Sequence, residues 1–468
     1  MTCGNVSFSI ILLQLTSPIK GTDSGIINSI IKTAVVPPVL LAVAAVLCYL
    51  FIVRGMYALE DLPVKKIPRW SKICIEVVMV VFFLHTVQVQ GTEIGMWDYI
   101  QSVRESSDFY EKEYVNPAKV KMTFPKEKKN LIYIFMESME SSYADKEDGG
   151  TMDDNYIPNL TKLARENVQF TDKKDGKVGG PVCLEATAYT AGGLVAQTSA
   201  INLKVMNSGA VSDSFLPNLT ALGDILNKQG YNQMFLCGSD GDFAGRDAYF
   251  KTHKDYQIED YKAAIKEGDI PKDYKVYWGH EDKVLYERAK KNLKKLSKEG
   301  KPFNLTMLTV DTHFPNGYIC DLCENKYDTT YGNAVACADR QVYDFVQWIK
   351  KQDFYEDTTI IIAGDHTSMV DTGSKFWKSL SNDYQRTVYN AIINPQCAYK
   401  KKVTTKRKFS TMDMFPTTLA ALGVEIDGNK LGLGTNLFSG EETLREELGA
   451  NYINKELKRN DKMYNQFY

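Results

Sequence analysis

The sequence predicts an α/β protein, a mostly parallel sheet sandwiched by helices and preceded by N-terminal transmembrane helices. Three observations carry that expectation. From about Lys128, short and nearly continuous apolar runs such as NLIYIFM, FNLTMLTV and TTIIIAG alternate with amphipathic stretches, the pattern of strands buried on both faces. Polar residues collect just after those runs, where open parallel sheets bind ligands. Two longer apolar runs stand before residue 90. The 468 residues are enough for a large core, and 44% hydrophobic with 24% charged residues excludes wholesale disorder and a fully embedded transporter. With 56 Lys plus Arg against 58 Asp plus Glu, the net charge of −2 speaks against a nucleic-acid partner.

The first region is 1–90. Its opening apolar run, a partial span at 8–17, is too short to cross a bilayer, and no cleavage-like pattern follows it. TAVVPPVLLAVAAVLCYLFIV, between Lys32 and Arg54, predicts a span at about 33–53, and ICIEVVMVVFFLHTVQV predicts a second at about 73–89 despite Glu76 and His85. The loop between them carries Arg54, Lys65, Lys66, Arg69 and Lys72 against Glu60 and Asp61, which marks it as cytoplasmic. Everything after roughly Gln90 then lies outside the cytoplasm, as a linker at 91–127, an α/β domain at 128–440 and a helical tail at 441–468.

Within the domain, NLIYIFM is a strand, IPNLTKLARENV a helix, and a Gly-rich helix starts near Thr190. PNLTALGDILNKQG is a helix stopped by Gly230, YNQMFLCG a strand, and EDKVLYERAKKNLKKLSKEG a charged surface helix. FNLTMLTV, TTIIIAG and VYNAIINP are the remaining strands, with the long helix YGNAVACADRQVYDFVQWIKKQ after the first of them. The strand ends lead into Glu137-Ser138, Ser239-Asp240-Gly241-Asp242, Asp311-Thr312-His313 and Asp365-His366. Any one of these is explained by a turn or a helix cap, and His366 alone by a core histidine. Four polar ends in one sheet, two of them with His from a chain holding five, point instead to a site. Glu, Asp and His together are a ligand set for a divalent transition metal such as Mn²⁺ or Zn²⁺. EATAYTAGGLVAQTSAINL adds Thr187, Thr190 and Thr198 around a Gly pair. A small-residue helix also serves close packing, but a threonine at a helix start beside a metal is placed as a nucleophile.

Six cysteines (Cys183, Cys237, Cys320, Cys323, Cys337 and Cys397) fall in the region assigned outside the cytoplasm. That compartment permits disulfides, and at least one is expected among Cys320, Cys323 and Cys337, as a loop staple. Zinc would want a fourth ligand, and a thioredoxin-like site would want CxxC at a helix start; neither is evident here.

The segments FMESMESSY, PNLTKLARENVQFTD, AYTAGGLVAQTSA, FAGRDAYFKTH, LTVDTHFPNGY, IIAGDHTSM, STMDMFPTTLAAL and GLGTNLF occur in an order that resembles membrane-anchored phosphoglycerol transferases of the sulfatase/alkaline phosphatase superfamily. These include lipoteichoic acid synthases and enzymes acting on periplasmic glucans, and the AYTAGGLVAQ form is closer to the glucan type. The resemblance covers nearly all of 128–440. It implies a sulfatase-like fold and one divalent metal, Mn²⁺ first with Zn²⁺ or Mg²⁺ as alternatives, held by Glu137, Thr190, Asp365 and His366. It implies that Thr190 is the nucleophile and that His313, Arg246 and Asp240 bind substrate. The implied reaction moves the head group of phosphatidylglycerol, through a phosphoglyceryl-threonine, to a glycolipid, teichoic or glucan acceptor at a multi-pass cell-membrane site. The alternatives are a phosphoethanolamine transferase or phosphodiesterase of the same superfamily, or a catalytically silent envelope-binding protein. No C/S-x-P-x-R stretch is present, since Cys183 is followed by LEAT, which disfavours a formylglycine sulfatase.

Overall fold

The computed structural model describes residues 69–468 except 175, 205–213 and 255, together with six helical positions between 36 and 50. The partial span 8–17, most of the span 33–53 and the loop before residue 69 lie outside the described residues. Helix α1 (Arg69–Glu93) contains the expected second span, and α2 (Met96–Arg104) follows after Gly95, which turns the chain with a φ of 70°. The apolar side chains of α1 are exposed all round, including Val77, Val78, Val80, Val81, Phe82, Phe83 and Leu84 in near succession. An apolar helix with no polar face belongs either in a core or in lipid. Among the described residues no single helix is long and apolar enough to cross a membrane; Val77–Glu93 and Met96–Arg104 reach that length and apolarity together, bent by 75°.

The apolar runs after Lys128 form β1 (Asn130–Met136), β2 (Asn232–Cys237), β3 (Gln257–Glu259), β4 (Phe303–Leu308), β5 (Thr358–Gly364) and β6 (Asn390–Ile393). They join in the order β3-β2-β4-β1-β5-β6, parallel except for β6, which runs antiparallel to β5. Successive residues of a strand point to opposite faces. Ile132, Ile134, Met136, Ile360 and Ile362 enter one core, and Tyr133, Phe135, Ile361 and Ala363 the other. Both faces are covered, which is why β1 and β5 show no polar alternation in sequence, while β4 alternates with Asn304 and Thr306 buried and hydrogen-bonded on one face. Helices α3 (Pro158–Glu166), α7 (Asp282–Leu296) and α8 (Thr330–Ile349) pack on the first core. Helices α4 (Thr190–Ser199), α5 (Leu222–Lys228), α6 (Arg246–Thr252) and α9 (Met414–Ala421) pack on the second.

The segments expected as linker (91–127) and tail (441–468) meet each other and complete this second core. Ser106–Ser107 pairs with Asn460–Asp461, and Met122–Thr123 with Glu425–Ile426. Phe109 and Tyr110 are buried with Ile453, Leu457, Tyr464 and Phe467 from helix α10 (Ala450–Lys458) and the turn after it. Tyr110 stacks edge-on against Tyr464 at 5.1 Å, and its backbone N–H donates to Asp461. Neither segment carries a long periodic pattern, so only the contact between chain ends shows that they belong to the domain.

Candidate active site

Strand register assembles the site. Met136 pairs with Gly364, so Glu137 and Asp365 leave the sheet side by side. Phe135 and Cys237 both pair with Leu308, which brings the ends of β2 and β4 to the same rim. Helix α4 then starts at Thr190, after Tyr189 in extended backbone, with its N-terminus at that rim. The approach is close because of Gly193: a Cβ there would lie 2.1 Å from the backbone oxygen of Asp365.

Four side chains converge. Thr190 Oγ1 donates to Glu137 Oε2 at 3.2 Å and lies 3.3 Å from His366 Nε2. His366 Nε2 is 3.4 Å from Glu137 Oε1 and 3.5 Å from Asp365 Oδ2. Surrounding groups hold each of them. The His366 Nδ1–H donates to the Thr367 carbonyl, which turns Nε2 toward the other three. Asp365 Oδ1 accepts the N–H groups of Ser138 and His366, while its buried Oδ2 accepts no hydrogen bond among the described residues. Ser138 Oγ donates to Glu137 Oε1, Thr309 Oγ1 accepts the Glu137 N–H, and Thr312 Oγ1 donates to the Glu137 carbonyl.

The electrostatics of the cluster call for positive charge. Burial and the neighbouring Glu137 push the Asp365 carboxyl up to about 8. Burial opposes the charge on His366, but Asp365 and Glu137 together push its imidazole up to about 10. Burial also opposes ionisation of Glu137, yet the His366 ring holds its carboxyl below the ordinary range. Two buried carboxyl groups, one imidazole and one hydroxyl thus face one another over separations longer than a good hydrogen bond. Glu137, Asp365 and His366 offer donor atoms within 4.8 Å of one another and could hold a metal ion. The orphaned Asp365 Oδ2 and the oxygen–nitrogen donor set fit a divalent cation.

The expected substrate residues form a second wall. His313 donates from Nδ1 to the Phe314 carbonyl, and its ring lies 4.7 Å from Trp278. Burial lowers its pKa, against the pull of Glu137. Arg246 is buried, with its guanidinium donating to Ser239 Oγ, the Asp240 carbonyl and the Phe243 carbonyl. It also sits 5.4 Å from the Phe243 ring, which in turn packs 5.2 Å from Trp278. Asp240 differs from the others: its carboxylate is paired with Lys262 at 2.8 Å, so it faces a cation of its own chain. Thr187 and Thr198 are fully committed to backbone carbonyls, of Leu184 and Leu194, and leave Thr190 as the threonine at the cluster. Sequence reasoning missed Ser138, Thr309 and Thr312 as supports, and Trp278 and Phe243 as the aromatic link between Arg246 and His313. Ser138 was within reach, as the neighbour of Glu137; Trp278 lies in YWGHED, 35 residues before His313, with no sequence signal to join them.

The chain belongs to the Sulfatase family, whose model matches residues 129–424. It is similar to Phosphoglycerol transferase I from Salmonella choleraesuis (strain SC-B67), with 33% identity over 340 residues, 70% of this chain and 41% of the relative. The chain therefore spans less than half the length of that relative. Among solved structures, the lipoteichoic acid synthase LtaP from Listeria monocytogenes shares the fold at a TM-score of 0.54 and 19% identity, covering 68% of this chain and 79% of that one. The integral membrane lipooligosaccharide phosphoethanolamine transferase A from Neisseria meningitidis matches at 0.51 and 15% identity, over 90% of this chain and 81% of its own. The family match and the two solved structures agree on the fold.

Proposed function

We propose that this protein is a membrane-anchored transferase that takes the phosphoglycerol head group of phosphatidylglycerol and passes it to a hydroxyl of an envelope polymer or glycolipid. The observation that carries the reading is Thr190, held at a helix N-terminus by hydrogen-bonding contacts to both Glu137 and His366. The identity to phosphoglycerol transferases supports the head group, and the all-round apolar surface of α1 supports the bilayer.

Glu137, Asp365, His366 and Thr190 would hold the metal, Mn²⁺ by first preference. Bound there, a divalent ion supplies charge that lowers the pKa of the threonine hydroxyl and offsets the phosphoryl oxygens. The protein's own groups do the rest. The Thr190 hydroxyl, oriented by its hydrogen bond to Glu137, gives its proton to solvent as Oγ1 attacks phosphorus; the P–O bond to diacylglycerol breaks, the diacylglycerol oxygen takes a proton from solvent, and a phosphoglyceryl-threonine remains. The first amides of α4 face the phosphoryl oxygens. Arg246, fixed by three acceptors, adds a charge-assisted donor. His313, kept neutral by burial with its proton on Nδ1, offers Nε2 as an acceptor for a hydroxyl of the glycerol head group. An acceptor hydroxyl then attacks the same phosphorus and gives its proton to solvent, the P–Oγ1 bond breaks, and Oγ1 takes a proton from solvent to restore the threonine.

The test is head-group release from labelled phosphatidylglycerol in vesicles by the full chain. Wild type should release diacylglycerol, with a glycerol phosphate mass on the peptide containing Thr190. Thr190→Ala should abolish both while its thermal unfolding stays within about 1 kcal/mol of wild type. Release from phosphatidylethanolamine alone, or an adduct on Thr187 or Thr198, would overturn the reading.

A further inference from the structure

Three sulfurs lie together on the loop that carries His313. Cys323 and Cys337 are joined in a disulfide, and Cys320 remains a thiol with its Sγ 3.6 Å from Cys323 Sγ. All three sulfurs are within 4.8 Å of one another. The bond is therefore not the CxxC pair that spacing suggests; it ties the loop to α8, fourteen residues on. Two further features favour movement of that bond. The Cys323 N–H donates to the Cys320 carbonyl, a tight turn that keeps the two loop sulfurs adjacent. Gln341, one helical turn beyond Cys337, directs its Nε2–H to Cys337 Sγ at 3.5 Å, with Cys320 Sγ at 4.0 Å.

We infer that Cys320, Cys323 and Cys337 form a thiol–disulfide exchange site in which one disulfide migrates between loop and helix. The Cys320 thiol gives its proton to solvent, a turn of the loop brings its sulfur into line with the Cys323–Cys337 bond, and the thiolate attacks Cys323 Sγ. The Cys320–Cys323 bond forms, the Cys323–Cys337 bond breaks, and the electron pair leaves on Cys337 Sγ. Gln341 donates to that leaving sulfur, which then takes a proton from solvent. No oxidant or reductant is consumed. Burial, with Asp311 and Asp321 nearby, pushes the Cys320 thiol up, so exchange is gradual near neutral pH. In the second pairing the disulfide closes within the loop and the covalent tie to α8 is gone. What then holds the loop is non-covalent: Lys283 with Asp321 and Arg340 with Glu324 at the surface, the buried Asn333 side chain accepting from Lys326 and Tyr327, and the Tyr327 hydroxyl donating to the Asn155 carbonyl. His313 lies at the start of the same loop, where Gly317 N–H donates to its carbonyl. The pairing thereby sets how firmly the head-group histidine is held.

The full chain, incubated without reductant at about pH 8, would be quenched in acid and unfolded with N-ethylmaleimide. Peptides mapped without reduction then report which sulfur was free. The expected result is one maleimide per triad, on Cys320 in most molecules and on Cys337 in a growing minority. Gln341→Leu should lower the Cys337 share about fivefold, the worth of one hydrogen bond. Hydrogen exchange should then be several-fold faster across 311–329 in Cys337→Ser than in Cys320→Ser, which locks the tie to α8. Label on Cys320 alone at every time, on Cys323, or on all three sulfurs would overturn the inference. Equal loop exchange in the two serine variants would overturn its link to His313.

Discussion

Asp365 shows what single side chains decide here. One carboxylate oxygen accepts two backbone N–H groups and orients the strand end; the other accepts no hydrogen bond among the described residues and faces the cluster. Asp365→Asn keeps the first oxygen's role and replaces the second with a donor. We expect it to fold normally and to lose the thermal stabilisation that Mn²⁺ confers on metal-stripped wild type, which at a hundredfold excess over Kd amounts to about 2.7 kcal/mol. An unchanged metal-dependent rise in Tm would place the ion elsewhere. Asp311 and Asp282 present a different problem, two buried carboxylates in contact. Asp282 accepts from the N–H groups of Val310 and Asp311, whereas neither oxygen of Asp311 has a hydrogen-bond partner among the described residues. Burial pushes Asp282 up to about 7, and burial with Asp282 beside it pushes Asp311 well up too. The folded state thus holds more protons than the unfolded one, so stability falls as pH rises from the ordinary Asp range near 4 through about 7. Asp311→Asn should flatten that fall and raise Tm at pH 8 by about 1–3 kcal/mol in stability terms. Equal pH slopes in the two proteins would contradict it.

At the scale of an element, α4 is the part whose position matters most. It carries no charged residue, nine of its ten residues are buried, and its start must touch the end of β5. Gly193 makes that contact against backbone atoms of Asp365, which cannot swing away as a side chain would. Gly193→Ala should push the helix start outward, costing about 1–3 kcal/mol and weakening metal binding more than this loss implies. Calorimetric titration with Mn²⁺ beside a thermal melt separates the two effects; intact affinity would show that α4 tolerates displacement. The Gly pair and the threonines were visible in sequence, and so was a helix starting near Thr190. That Thr187 and Thr198 are spent on backbone carbonyls was not visible, because helical phase alone does not say which hydroxyl meets the sheet.

For the molecule as a whole, the second core is closed by residues 105–127 and 441–468 together. Leu444, Ile453, Leu457, Tyr464 and Phe467 are buried in it, each worth about 1.5–3 kcal/mol. Together these approach or exceed the roughly 5–15 kcal/mol by which domains are stable. Deleting 441–468 should therefore leave an aggregating or unfolded chain, seen as loss of the cooperative melt; a soluble domain with unchanged Tm would show the tail to be dispensable. Sequence by itself determined five of the six strands of the sheet and most helices, because strands buried on both faces read as nearly continuous apolar runs; the three-residue edge strand β3 is too short to show such a run. It also named Glu137, Asp365 and His366 among the polar strand ends, which gather at one rim whatever the strand order, and the family resemblance singled them out; the structure brings their donor atoms within 4.8 Å of one another. Tertiary structure alone decided that Asp240 pairs with Lys262, that Trp278 bridges Phe243 and His313, that Cys323 bonds Cys337 and not its CxxC neighbour, and that residues 105–127 and 441–468 pack together. The physical reason is common to all four. Each depends on contacts between segments distant in the chain or on a choice among nearby partners, and local periodicity carries no information about either.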